Sequence, residues 1–321
     1  TMVKAGIFLL LRMSNILGDS QQWVSIITVF GVITMFSGAY MALTRTDLKS
    51  ILAFTTVSAL GTLTLLIGIN TQLSIKASIL FLVIHSFYKA TLFMIAGVIQ
   101  KKTGTRDISH LRGLFKRMPI ASAVAIISLL SMSGLPPMLG FIGKELIYEA
   151  KVQLGGLGNF ILVMGVISNI FMVWISGIII YRVFFGRTKK GLTGKLKPSF
   201  SLLIGPVILS LMSLILGLAP GQFGEMIVEP AIIASRVEIL DIKLKLWHGF
   251  NRVFFLSLGT VVTGILLFLA SPTLIPLMRR VNERFFHYDF SGGFFSMIDS
   301  LLNFAKKNTQ VIQHGYHRFY L

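Results

Sequence analysis

The chain has 321 residues, of which 54% are hydrophobic and only 13% charged, about half the charge of a typical soluble domain. Its apolar residues lie in long unbroken blocks, which excludes disorder, a collagen-like repeat and an ordinary soluble enzyme and points to an all-α polytopic transmembrane helix bundle. Cysteine is absent, so disulfides, thiolate metal sites and thiol catalysis are excluded; the net charge of +18 reads as an orientation signal, because Lys and Arg gather on the cytoplasmic side of membrane proteins.

The chain starts at Thr1 and runs at once into Met2–Leu11. No charged leader and no small-residue cleavage site is present there, so this is not a secretory signal. The stretch covers about half a membrane span and reads as the end of a helix that begins upstream. Phe319-Tyr320-Leu321 reads as the start of something further, and the chain is expected to be a piece of a larger protein.

Eight hydrophobic segments follow in order, at about 1–11 (incomplete), 22–43, 50–69, 77–99, 119–142, 160–181, 200–219 and 253–272. A helix needs about 20 apolar residues to cross a ~30 Å hydrocarbon core. The period-2 alternation of a membrane strand is missing. The even-numbered loops and the tail hold 20 of the 30 basic residues, and the odd loops hold eight, namely Arg12, Lys76, Lys144, Lys151, Arg236, Lys243, Lys245 and Arg252. The even side is therefore expected to be cytoplasmic, in a bacterial or archaeal plasma membrane. Nucleic acid is not an expected partner, since that needs a folded basic face with stacking aromatics. The expected division is a membrane core over 1–272 and a cytoplasmic-side segment over 273–321. In the latter, Ser291–His314 has apolar residues at helical spacing beside Lys306 and Lys307. This fits an amphipathic helix on the bilayer surface, or equally a short helix packed on other protein.

Charges inside spans single out three places, because a charge at mid-bilayer costs about 2.5–3.5 kcal/mol on insertion scales. Lys4 lies in the first segment, either inward-facing or snorkelling to the interface. His85 and Lys89 lie at the centre of 77–99, four apart and so on one helix face. Histidine titrates near neutral pH and a lysine held away from water exchanges protons more readily, so the pair suggests a proton relay. Lys144 follows Gly134, Pro136 and Pro137, which break the helix; interrupted helices point to ion sites in transporters. If the helix resumes to about 151, Lys144 and its neighbour Glu145 lie in the membrane; otherwise they form an ordinary loop pair. His248 is an accessory candidate beside the last span. No phosphate loop, metal cluster or nucleophile elbow is present, so neither a metal nor another cofactor is expected.

Thr-Met-Val-Lys-Ala-Gly (1–6), Thr-Asp-Leu-Lys-Ser-Ile-Leu-Ala-Phe-Thr-Thr-Val-Ser (46–58), His-Ser-Phe-Tyr-Lys-Ala-Thr-Leu-Phe (85–93) and Gly-Leu-Pro-Pro…Gly-Phe-Ile-Gly-Lys-Glu (134–145) resemble the antiporter-like membrane subunits. That family is shared by respiratory complex I and the Mrp-type multisubunit Na⁺/H⁺ antiporters. Thr-Gly-Thr-Arg-Asp-Ile (103–108), Lys-Glu-Leu-Ile-Tyr-Glu-Ala (144–150) and Trp-His-Gly-Phe-Asn (247–251) favour its Mrp branch, and within that the A subunit. The resemblance implies fourteen helices in two inverted repeats, each with one broken helix, and a buried line of Lys, His and Glu that carries protons. This chain would hold the second repeat, with Lys4 on the eighth family helix, His85 and Lys89 on the eleventh and Lys144 on the broken twelfth. Asp47 and Lys49 match a structural loop motif, and 291–314 resembles the family's lateral helix. Two departures stand out: the first seven family helices are absent, and Gln100-Lys101-Lys102 replaces a normally acidic stretch.

The implied function is that of a membrane subunit of a cation/proton antiporter, a secondary transporter rather than an enzyme, with other subunits, Na⁺, H⁺ and the lipid bilayer as partners. The alternatives are a proton-pumping subunit of NADH-quinone oxidoreductase and a scaffold that conducts nothing.

Overall fold

A computed structural model describes residues 2–154, 158–186, 196, 198–234, 244, 249–285 and 290–312. Among them the structure is helical throughout. Helices α1 (Lys4–Leu17), α2 (Gln21–Thr44), α3 (Leu48–Ile69) and α4 (Gln72–Thr103) follow one another through tight turns. One helical turn, α5 (Leu114–Arg117), leads into α6 (Pro119–Met132), and α7 (Leu139–Val152) follows after a break. Helix α8 (Gly158–Ile179) runs on into a π-helical turn, Ile180–Phe185. After α9 (Phe200–Leu218) come α10 (Pro220–Phe223), a second π turn at Gly224–Val228, α11 (Glu229–Ala234) and α12 (Arg252–Leu269). Then follow α13 (Ser271–Phe285) and α14 (Phe290–Ile312). The chain divides into two compact units, 1–271 and 272–321.

The protein is a multi-pass membrane protein. Among the described residues six helices are long and apolar enough to cross a bilayer: α2, α3, α4, α8 with its π turn, α9 and α12. Three of the expected segments therefore differ in extent. Helix α1 has 14 residues and contains Arg12, expected in a loop. The segment expected at 77–99 is a 32-residue helix, about 48 Å long. It takes in Lys76, also expected in a loop, and buries it. The segment expected at 119–142 is two half-helices, and the second extends to Val152 and buries Lys151. Hydropathy windows stop at a lysine; a helix continues wherever its backbone bonds do.

Local signals explain where the helices begin and end. Ser20, Asp47 and Asn251 cap α2, α3 and α12 by accepting backbone N–H groups of Trp23, Ser50 and Phe254. Thr71 and Ser74 form a reciprocal capping box on α4, satisfying two orphan donors at once. Pro119 opens α6, where its missing N–H costs nothing.

Helices α2 and α3 pack backbone to backbone. A methyl group at Gly61 would lie 2.2 Å from the Met35 nitrogen, and one at Gly38 would lie 2.5 Å from the Ser58 nitrogen. The closeness lets Ser58 Oγ donate to the Met35 carbonyl at 2.7 Å. Small residues that allow such approach drive helix association where lipid removes the hydrophobic force between helices. Helix α4 packs against α3, α6, α7 and α9, while α8 packs against α2, α7 and α12. Helices α3 and α4 are the most buried spans, and α9 and α12 expose most of their apolar surface, as lipid-facing helices should. In the second unit α14 exposes Met297, Leu301 and Phe304, at i, i+4 and i+7 and so in one apolar stripe.

Two loops are stapled together. Arg106 Nε meets Asp47 Oδ2 at 2.9 Å. Beside this pair, Leu48 N–H donates to the Arg106 carbonyl and Ile108 N–H to the Thr46 carbonyl, both at 2.9 Å. Asp47 also accepts from Ser50 N–H at 2.8 Å to cap α3. The ion pair is substantially exposed and contributes little, so the cap contributes more. Asp47→Ala is expected to destabilise the first unit by about 1 kcal/mol, with Asp47→Asn, which keeps a cap acceptor, recovering most of it. Thermal unfolding of the detergent-solubilised protein checks both.

Candidate functional site

Five basic side chains are buried among the described residues, Lys76, His85, Lys89, Lys144 and Lys151, together with the phenols Tyr88 and Tyr148. No aspartate or glutamate is buried with them among the described residues, nor do three or more His, Asp or Glu groups gather there as a metal site. A buried charge needs oxygen ligands, an opposite charge or water, so the question for His85, Lys89 and Lys144 is what each meets.

Lys89 reaches from α4 to α3. Its Nζ donates to the Leu52 carbonyl at 2.9 Å and to Thr55 Oγ1. Thr55 is free to accept because its own hydroxyl proton points at the Ile51 and Leu52 carbonyls. Lys4 reaches from α1 to the same helix α4, one turn earlier, where its Nζ donates to Ser86 Oγ and, at 3.3 Å, to the Leu82 carbonyl. Lys4 is half-buried. Between them His85 is 1% exposed, and both its ring nitrogens lack a hydrogen-bond partner. The rings of Phe81 and Tyr88 flank it, with centroids 6.0 and 5.3 Å away. Lys4, His85, Ser86 and Lys89 line one cavity of about 530 Å³.

Lys144 stands on the far side. Helix α6 ends at Met132 and α7 begins at Leu139. Ser133 Oγ folds back onto the Leu129 and Leu130 carbonyls, while Gly140 N–H at the start of α7 donates to Ser131 Oγ at 3.3 Å. The break thus satisfies itself locally, through backbone turns such as Ser133 N–H to the Leu129 carbonyl and Leu135 N–H to the Leu130 carbonyl and through these serines, as backbone at membrane depth must. Lys144 lies in the second turn of α7, buried, with its Nζ unpartnered and 5.5 Å from the centre of the Phe141 ring. It lines a second cavity of about 40 Å³ with Thr55, Ser58, Ser131, Ser168 and Asn169. That volume holds a few waters, since one needs about 10–15 Å³ by this measure. Thr55 lines this cavity and Lys89 lines the other. The Lys89–Thr55 hydrogen bond therefore links a residue of one cavity to a residue of the other.

The remaining candidates fall elsewhere. Asp47 belongs to the loop staple, and Lys49, on the first turn of α3, is half-buried. Glu145 follows Lys144 on α7 and is half-buried; consecutive residues do not share a helix face. Pro136 and Pro137 lie in the break, and Gly134 packs on Lys144. His248 lies outside the described residues. The site also has polar members that the sequence does not single out: Thr55, Ser131, Ser168 and Asn169. Each is a neutral side chain within an apolar helix, visible only once the helices are packed. Lys151, counted with the odd loops unless the helix resumes to about 151, is buried on α7, which does resume.

Gly134 has φ +65°, the left-handed region, and a methyl there would lie 2.8 Å from Lys144 Cδ. Gly134→Ala is expected to cost about 1–2 kcal/mol from backbone strain and to displace Lys144. Gly97→Ala, into open space on α4, should leave stability unchanged or raise it. Thermal melts of the two variants test the contrast.

The family described as "NADH:quinone oxidoreductase/Mrp antiporter, TM" matches residues 1–172. Among curated proteins, the A subunit of the Na⁺/H⁺ antiporter of Alkalihalophilus pseudofirmus is 35% identical over 299 residues, 84% of this chain and 37% of that protein. The A1 subunit of the Na⁺/H⁺ antiporter of Staphylococcus haemolyticus is 34% identical over 345 residues, covering 99% of this chain and 42% of that protein. Among solved structures, a chain of the Mrp complex from Dietzia sp. DQ12-45-1b superposes with a TM-score of 0.84 at 29% identity, over 99% of this chain and 34% of that one. The chain thus spans well under half the length of the curated relatives it matches.

Proposed function

The chain belongs to the NADH:quinone oxidoreductase/Mrp antiporter transmembrane family, and we propose that it forms the second half-channel of a multisubunit complex that exchanges Na⁺ for H⁺. Its route for protons runs from Lys4 through His85 and Lys89 to Lys144. Other subunits of the complex are its partners, and the even-numbered loops and the C-terminal helix lie on the cytoplasmic side of the plasma membrane.

The observation that carries this reading is the buried hydrogen bond from Lys89, which lines the cavity beside Lys4 and His85, to Thr55, which lines the cavity beside Lys144. Protons entering beside Lys4 pass to His85, whose two unpartnered nitrogens suit it to take a proton on one side and release one on the other. His85 and Lys89 are four apart, so their Cβ atoms stand about 6 Å from one another on one helix face. Two positive charges about 6–10 Å apart repel by about 2–3 kcal/mol at an effective dielectric of ~20. Simultaneous charging is therefore disfavoured by roughly one to two orders of magnitude, and a proton arriving on one base pushes the next onward. No carboxylate is buried beside His85 and Lys89 among the described residues, while half-buried Glu145 adds a negative charge near Lys144.

The family also contains complex I subunits, in which quinone reduction drives a channel of this kind. The relatives named as Na⁺/H⁺ antiporter subunits favour the antiporter. Copurification of the complete complex with flavin and iron–sulfur subunits would favour the other reading.

In proteoliposomes carrying the complete complex, Lys89→Ala and Lys144→Ala are each expected to lower Na⁺-driven proton movement by at least about a hundredfold while the complex still assembles. Wild-type rates in both variants would sink the relay, and would leave a packing scaffold as the reading to pursue.

A further inference from the structure

Lys151 has no place in the route above, yet it is 2% exposed and among the most completely buried large side chains of the protein. It lies on α7 at i+7 from Lys144, with Tyr148 at i+4, so the three share one helix face. That face packs on α8. The Lys151 ammonium sits where α8 has no side chain: a methyl at Gly165 would lie 2.3 Å from its Nζ. One turn on from Gly165, Ser168 and Asn169 line the Lys144 cavity. The Ser168 hydroxyl is buried and without a hydrogen-bond partner.

Tyr148 does not itself bridge the two lysines. Its hydroxyl accepts from Asn169 Nδ2 at 3.0 Å and meets Thr260 Oγ1 at 2.9 Å. Thr260 already gives its own proton to the Leu256 carbonyl, so Tyr148 donates to Thr260. Both sides of the phenol are occupied, and it serves as a strut between α7, α8 and α12. The unfilled hydrogen-bonding capacity lies beside it, at Ser168.

We propose that Lys151 is a further proton-carrying station, reached from Lys144 past Ser168 along the α7–α8 seam. The proposal rests on the relay reading above. A proton released by the Lys144 ammonium is taken up by the Lys151 amine; one N–H bond breaks, one forms, and the number of positive charges in the bundle is unchanged. The two lysines are about 10.5 Å apart along the helix axis, a gap closed by their flexible four-carbon stems and by water at the Ser168 hydroxyl. Gly165 provides the slot in which the second ammonium rests.

The test uses the complete complex in proteoliposomes, with Lys89→Ala and Lys144→Ala measured alongside. Lys151→Met fills the same space without a charge, and replacing a buried charge by a packed apolar side chain is neutral or stabilising. Lys151→Arg keeps a charge but cannot release a proton. Both are expected to assemble with unchanged melting and to lose at least about tenfold in Na⁺-driven proton movement. Lys151→His, which titrates near neutrality, is expected to regain part of the rate and to move the pH profile toward acid. Wild-type rates in Lys151→Met or in Lys151→Arg overturn the proposal, the latter because a fixed charge would then suffice. If Lys151→Met fails to assemble, Lys151→Arg decides. Loss of activity in Lys89→Ala and Lys144→Ala beside full activity in Lys151→Met defeats this inference alone, whereas full activity in the first two defeats the relay itself.

Discussion

The constraint on which this protein turns is that amines kept away from bulk water must be solvated by something else. Here the only oxygens seen to solvate Lys4 and Lys89 are neutral: the carbonyls of Leu82 and Leu52 and the hydroxyls of Ser86 and Thr55. Neutral oxygens stabilise an ammonium without trapping it. A carboxylate at the same place would hold the charge by several kcal/mol. Helix packing follows from this need. Helix α3 must approach α4 closely enough for Thr55 to meet Lys89, and its backbone contact with α2 at Gly38 and Gly61 holds it in register.

The broken helix serves the same end. Interrupting α6 at Met132 and restarting at Leu139 frees backbone groups that would be costly in lipid. Backbone turns together with Ser131 and Ser133 absorb them locally, and Gly134 leaves room for the stem of Lys144. The break thus places an unpartnered ammonium beside a cavity large enough for water.

Much of this was legible in the sequence, and the reasons for the rest are physical. Long apolar blocks announce helices, and the four-residue spacing of His85 and Lys89 already puts them on one face. The prolines mark the break. Lys76 and Lys151 look like loop residues in the sequence because a hydropathy window ends at a charge, while α4 and α7 run on past it. The spacing of Lys144, Tyr148 and Lys151 held the missing signal, as i, i+4, i+7. The pairing of Asp47 with Arg106 joins positions nearly sixty residues apart, and Thr55, Ser131 and Asn169 join the site through partners on other helices. No local pattern encodes either.

The contact between Lys89 and Thr55 also bears on leakage. An uninterrupted thread of water across a bilayer would let protons run down their gradient and waste it. Here a hydrogen bond joins Lys89, which lines one space, to Thr55, which lines the other, and a charge held on that ammonium repels any proton that tries to slip past it. On the proposed route, insulation and conduction would reside in the same few atoms, a plug one residue thick that opens only by handing on the charge it carries.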